Sequence, residues 1–419
     1  MNGKIWVCLI IGALIVPTTT IATALGTSKS VTITYYFGKE ETGVERSLAA
    51  QFERETGIKV KLREMPPSSD VQRETITRTL MEEMPADVIR LDTGWISECA
   101  AAGWLRPLDD LFTEDRKFLP GPVDGCTYKG KIYAVPLFAD FGLLYYRADL
   151  LDKYGFEPPE TWLYDSCGCK SILTGEDNPN LEGFVFQAKQ YEGLVCCFLE
   201  FVWSNNGAVY DDYGRVVIDS DYAVEALTFM CKLVEEGLAP KGVLGMIEED
   251  TRGVFQDGRA IFMRNWPYAY DLVQGPGSKV KGEVGIAPLP HGPHGEFGYA
   301  CLGGWNLAMP TNTRHPKEAW EFIQFMTSYD AQKRRAIEGA YLPTRKALYI
   351  DGDVREARPY FSEMGIVGER SKPRPVVPYY TKISETLQLE VQRALLGQKS
   401  PKAALSAAAR EIGKLKEVR

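Results

Sequence analysis

From Val135 to Tyr146 the chain reads Val-Pro-Leu-Phe-Ala-Asp-Phe-Gly-Leu-Leu-Tyr-Tyr, apolar apart from one carboxylate. A run of this length predicts a strand, or two end to end, covered on both faces. Asp140 stands in its middle, and a buried ionised carboxylate is costly without partners. Two readings stay open: an acid tied to backbone amides inside a core, or an acid presented where the chain passes between two packed units. Gly142 lets another backbone or a ligand come close.

Upstream, the pattern alternates between periods of 2 and 3.6. Val31 to Phe37 is β-branched and aromatic, and predicts a strand. Thr42-Gly43-Val44-Glu45 has capping-box spacing and opens a helix with Leu48 and Phe52 on one face, ending near Gly57. Residues 58–62 alternate as a second strand, 71–84 predict a second helix, and 86–92 a third strand ending at Asp92. Strand, helix, strand, helix, strand is an open parallel α/β unit. Ligands of such sheets bind beyond the carboxyl ends of the strands, where Asp92 and the loop Gly38 to Glu41 fall.

Downstream, 147–154 reads as a helix and the Gly/Ser/Asn/Asp-rich 165–182 as a loop. Gln190 to Asn206 reads as a buried helix. Ser220 caps a helix with Ala223, Leu227, Met230 and Val234 inward, stopped by Gly237. Ala260 to Met263 is a short strand running into Arg264-Asn265-Trp266-Pro267-Tyr268. Val284 to Pro290, apolar but broken by prolines, is a candidate second crossing between units. Gly303-Gly304-Trp305-Asn306 opens a third region, with a helix from Pro316. Two terminal helices close the chain, the last with Ser400 as N-cap and Pro401 at its first position.

At 419 residues the chain is long enough for two large lobes, and 45% apolar with 25% charged is ordinary globular composition. A net charge of −8 without a basic block argues against a nucleic-acid partner. Residues 1–28 show Lys4, an apolar core of Ile5 to Val16 and an Ala22-Thr23-Ala24 exit, the form of a secretory signal, with a retained anchor as the alternative. Either way the remainder is exported, so disulfides among Cys99, Cys126, Cys167, Cys169, Cys196, Cys197, Cys231 and Cys301 are expected as plausible.

Enzyme signatures are sparse. The histidines His291 and His294 lie on a Pro/Gly turn, and there is no nucleophile elbow, Walker loop or dinucleotide fingerprint. No metal and no cofactor is expected. Paired acids could cleave a glycoside. A carbohydrate-binding cleft uses the same residue types without catalysis: indole and phenol faces for the C–H faces of a sugar, acids and guanidinium for its hydroxyls. Trp266 and Trp305 each stand in Gly/Pro/Asn-bearing segments expected to be turns at strand ends.

Ala102-Gly103-Trp104-Leu105, Gly142-Leu143-Leu144-Tyr145-Tyr146-Arg147, Pro158-Pro159-Glu160-Thr161-Trp162 and Gln190-Tyr191-Glu192-Gly193-Leu194 run in order along the chain. Arg264-Asn265-Trp266-Pro267-Tyr268, Leu302-Gly303-Gly304-Trp305 and Pro373-Arg374-Pro375 follow. Together they resemble the family 1 extracellular solute-binding proteins of ABC sugar importers, in particular archaeal trehalose/maltose binders. The resemblance implies an α/β, two-lobe periplasmic-binding-protein fold of type II, with the ligand cleft between lobes joined by hinge crossings. It implies one lobe from 29–138 plus 288–328 and another from 139–287 plus 329–419. Glu41, Arg73 and Asp92 would then bond hydroxyls from the first lobe, Asp140 and Arg374 from the second. Trp305, Trp266 and Tyr268 would sandwich the rings, and Gly303 and Gly304 would admit them. Phe138 stands where those relatives carry a tyrosine, one hydroxyl fewer in the site. The implied partners are a small saccharide and the membrane subunits of an ABC permease, with the protein itself a monomer. A sugar-cleaving enzyme and a sugar chemoreceptor are the alternatives.

Overall fold

The structure, a computed structural model, describes residue 3 and residues 31–39, 42–162 and 168–415, without the side chains of 362, 363, 366 and 369. Glu41, Cys167 and the leader expected at 1–28 (all but residue 3) lie outside the described residues. Val31–Arg419 is one compact unit.

Twelve strands are numbered in chain order: β1 Thr32–Gly38, β2 Lys59–Met65, β3 Val88–Asp92, β4 Thr127–Tyr128, β5 Lys131–Ile132 and β6 Ala134–Phe141. They continue with β7 Leu143–Arg147, β8 Glu182–Val185, β9 Ala260–Asn265, β10 Val284–Ala287, β11 Ala300–Ala308 and β12 Ser371–Pro373. The first sheet has the order β12-β11-β3-β1-β2, with β6 on the other edge of β11. The expected parallel unit forms one end of it: β1 pairs in parallel with β2 and β3. β2 pairs with β1 alone and is the sheet edge, and its alternating exposure follows its charged, period-two sequence. A second sheet has the order β10-β7-β9-β8.

The apolar run at 135–146 is thus two strands end to end, β6 in one sheet and β7 in the other. At their junction a Cβ on Gly142 would stand 2.0 Å from Glu200 Oε1 and 2.7 Å from Arg264 Nη2. Glycine is required there because a buried ion pair, 2.6 Å between those two side chains, presses against the backbone. The return crossing is β11. Its first residues, Ala300 and Cys301, belong to the core around the second sheet, and Leu307 belongs to a core of the first. The proline-broken Val284–Pro290 was expected to cross; instead Val284–Ala287 is the edge strand β10, pairing with β7. An edge tolerates the prolines that follow it.

Two local expectations also change. The helix Val44–Thr56 begins without a capping box. Glu45 turns inward, accepts the Tyr35 hydroxyl and pairs with Arg335 at 2.8 Å, so its side chain serves the core rather than the helix end. Arg335 lies on the helix Tyr329–Gly339, which this pair holds against Val44–Thr56. The expected loop at 165–182 contains a helix, Cys169–Glu176, whose Cys169 and Ile172 are buried. Its two inward side chains outweigh a composition that favours turns. The seven described cysteines are all buried free thiols, contrary to the disulfides expected of an exported chain. Burial as small apolar groups accounts for them.

Gly142→Ala is expected to destabilise the protein by about 2–4 kcal/mol in urea unfolding, because the added methyl must displace a buried ion pair. An unchanged midpoint would show that the junction is looser than described.

Candidate functional site

The pairing of β6, β3 and β11 assembles the site. Gly303 lies opposite Asp140 and Trp305 opposite Phe138, while on the other edge of β11 Trp305 lies opposite Asp92. Period two places Gly303 and Trp305 on one face of the strand. Trp305 was expected in a turn but sits inside β11. Gly304 makes this possible: it adopts φ 123°, and a Cβ there would lie 2.8 Å from the Phe138 carbonyl oxygen.

Trp266 follows β9 of the other sheet, yet its ring carbons Cζ3 and Cη2 come within 3.4 and 3.6 Å of where a Gly303 Cβ would be, beside Asp140 Cβ at 3.4 Å. One indole carried by the second sheet therefore lies over the Asp140–Gly303 rung, and the indole of Trp305 stands on the same face of β11 two residues along. Both are only partly buried. Trp266 is fixed in place: Nε1 donates to Glu248 at 3.2 Å, its carbonyl accepts the Tyr145 hydroxyl at 2.7 Å, and the Arg264 guanidinium lies 3.9 Å from its ring centre. Trp305 has the edge of Trp95 at 5.8 Å and the Arg90 guanidinium at 4.4 Å.

Asp140 settles the choice left open by its sequence. No hydrogen bond from a described residue supports its carboxylate; burial and nearby charges alone act on it. Burial pushes it up to about 7, Asp92 adds to the rise, and Arg90 and Arg264 oppose it. It is an acid at a junction, not one tied to backbone amides.

The remaining expected residues sort into two groups. Arg374, just after β12, reaches Asp92 at 2.6 Å and Glu192 at 2.7 Å, and Asp92 also accepts the Gly94 amide at 2.7 Å. Glu192 accepts the Tyr380 and Ser384 hydroxyls as well. Asp92 and Arg374 therefore hold each other beside Trp305. Arg73 bonds neither of them: it lies 3.6 Å from Glu385, on a cavity of about 260 Å³ walled also by Asp70, Trp95, Glu192 and Tyr380. Tyr268 donates to Glu249 at 2.6 Å and anchors the loop that carries Trp266. Phe138 is buried against Tyr341, with ring centres 4.6 Å apart.

Residues 38–333 match the family of bacterial extracellular solute-binding proteins. The chain belongs to that family. A probable ABC transporter-binding protein of Deinococcus radiodurans is 35% identical to this solute-binding protein over 408 residues, 94% of this chain and 96% of the relative. Maltose-bound MalE3 of T. maritima is similar at 41% identity and a TM-score of 0.86, over 92% of this chain and 100% of that one. The GacH receptor of Streptomyces glaucescens, solved unliganded and with acarbose, shares the fold at 24% identity and a TM-score of 0.83, over 93% and 99% of the two chains. The architecture is the two-lobed α/β fold of type II periplasmic binding proteins, as the motifs implied. Members of this family are exported; among the described residues no helix is long and apolar enough to cross a membrane.

Several residues of this solute-binding protein's cleft escaped the sequence reading. Glu192 stood in a quoted motif without a role. Arg90 interrupts the apolar strand Val88–Asp92 just as Asp140 interrupts its own, and that same signal could have found it. Glu248 and Trp95 carry no local mark; only the fold brings them to the indoles.

Because the folded Asp140 carboxyl titrates near 7 instead of its ordinary 3.8, the folded chain keeps a proton that the unfolded chain gives up. The stability this confers is complete below pH about 4 and is lost as pH rises through 7. Asp140→Asn removes that loss. Between pH 4 and 8, ligand-free wild type should fall relative to the variant by roughly 1–4 kcal/mol. Parallel stability profiles would contradict the assignment.

Proposed function

We propose that this protein captures a di- or oligosaccharide of the maltose or trehalose kind between its lobes and delivers it to an ABC permease. The observation carrying this reading is the junction itself: a carboxylate with no hydrogen-bond donor, flanked by two partly open indoles from different sheets. Sugars offer flat C–H faces to indoles and hydroxyls to charged groups, and each bond to a charged side chain contributes about 1.5–3 kcal/mol. Asp140, Asp92, Arg374 and Arg73 are the proposed hydroxyl partners, with Glu41 from the loop after β1. Trp266 and Trp305 stack on the rings, Tyr268 completes the second-lobe wall, Phe138 backs the first-lobe side beside Trp305, and Gly303 and Gly304 keep the floor low. The maltose held by the T. maritima relative favours an α-glucoside as the ligand.

The proposed lobes are those the motifs imply, 29–138 plus 288–328 and 139–287 plus 329–419, with the second boundary moved from 288 to β11 because Leu289, Ala300 and Cys301 belong to the second core; the helix Tyr329–Gly339 lies against the first through Arg335 and Glu45. Ligand shifts a hinge equilibrium by binding the closed form better, and the closed form docks on the permease. No catalytic role is assigned to the acids.

Calorimetry with maltose, trehalose, maltotriose, sucrose and glucose is expected to show binding of at least one di- or oligosaccharide, with compaction in small-angle scattering. Trp266→Ala and Trp305→Ala should each weaken it by about 100-fold or more while leaving the unfolding transition intact. Unchanged affinity in both variants removes the sandwich, and release of reducing ends over time would make the protein an enzyme.

A further inference from the structure

Four arginines are more than nine-tenths buried among the described residues: Arg90, Arg264, Arg335 and Arg374. Three are matched by carboxylates, namely Glu200, Glu45, and the pair Asp92 and Glu192. Arg90 is not. It forms no ion pair and donates no hydrogen bond to a described residue, and its Nε has no partner. What touches it is aromatic, Trp305 at 4.4 Å and Phe138 at 5.8 Å from the ring centres, while the carboxylates of Asp140 and Glu45 act on it only from beyond ion-pair distance. Cation–π contact returns about 0.5–2 kcal/mol, less than the several kcal/mol that desolvating a guanidinium costs. The surroundings of Arg90 are incomplete without a further polar group.

Beside it is a second orphan. Gln72, on the helix Ser69–Met81, donates through Nε2 to the carbonyls of Pro66 and Pro67 at 2.8 and 3.3 Å, which fixes which end of the amide is oxygen. The oxygen, Oε1, is buried with no partner. Both side chains converge on Gly38, the last residue of β1: a Cβ there would stand 2.2 Å from Arg90 Nη2 and 2.5 Å from Gln72 Oε1. These are carboxyl ends of adjacent parallel strands, where such sheets receive ligands.

A guanidinium whose Nε has no partner, with its Nη2 turned to the same point as an unmatched amide oxygen, selects the chemistry. A carboxylate or phosphate would pair with Arg90 but be repelled by the Gln72 carbonyl oxygen. A hydroxyl satisfies both, accepting from one and donating to the other. We propose that Arg90 and Gln72 clamp one hydroxyl of the ring stacked on Trp305, forming a specificity subsite beyond the residues the family resemblance implies. This rests on the saccharide reading above. Because one hydroxyl must aim its proton at Gln72 and a lone pair at Arg90 at once, the subsite reads the stereochemistry of a single ring carbon.

The test is a cycle of protein variants against maltose and its monodeoxy analogues by calorimetry. Wild type is expected to lose about 10–100-fold in affinity for one analogue, and Arg90→Gln and Gln72→Met to lose a similar factor for maltose. For that one analogue, wild type and variants should bind alike, since the contact is already gone. If the pair merely holds a structural water, the variants will lose the same factor for every analogue, or nothing, and the subsite is overturned. Should Arg90→Gln fail to fold, Gln72→Met closes the same cycle. Wild type that binds sugars with no such coupling removes only the subsite; wild type that binds no saccharide removes the functional reading with it.

Discussion

The pairing of β6 with β11 is the constraint on which the rest depends. β6, which leads out of the first sheet towards β7, and β11, which leads into it from the second core, lie antiparallel in that sheet, so Asp140 and Gly303 face each other at the point of transit. Everything at the site is measured from that rung. Trp305 is two residues along β11, Asp92 is its neighbour on the far edge, and Trp266 descends on Gly303 from the second sheet. A Cβ at 303 would already touch the indole at 3.4 Å, so a side chain larger than alanine would separate it from the strand it covers.

Buried charge does the positioning. Glu200 takes two bonds from Arg264 and one from the Cys301 amide, tying the helix Glu192–Ser204 to β9 and to the crossing strand at once. Arg264 in turn lies flat against Trp266. On the other side Arg374 joins Asp92 of β3 to Glu192 of that same helix. A buried ion pair is weak as a source of net stability, but breaking one leaves an unmatched charge, so such pairs hold geometry well. The indoles are thus held by groups that themselves cannot easily move, which lowers the ordering cost of ligand binding.

Much of this was legible in the residues. The period-two and period-3.6 alternation placed the parallel unit, the Ser220-capped helix and the terminal helices. A single carboxylate in an apolar run marked the junction. What could not be read locally was set by long-range contact. Glu45 has the spacing of a cap, but Arg335, 290 residues away, draws it into the core. Cys169 and Ile172 form a helix because the second core covers them, though their neighbours are turn formers. The apolar Val284–Pro290 reads as a crossing by composition alone, but pairing with β7 makes it an edge strand; the glycines of β11 read as a turn, and positive φ at Gly304 is what lets the strand continue past them.

The central claim is that the two crossing strands and the indoles above them form the floor and wall of one saccharide site. A crystal structure of the protein soaked with maltose measures it most directly. The account predicts a glucosyl ring between Trp266 and Trp305 with a hydroxyl at the Asp140 carboxylate. Density for the sugar anywhere else, with the space over Gly303 holding only water, would contradict it.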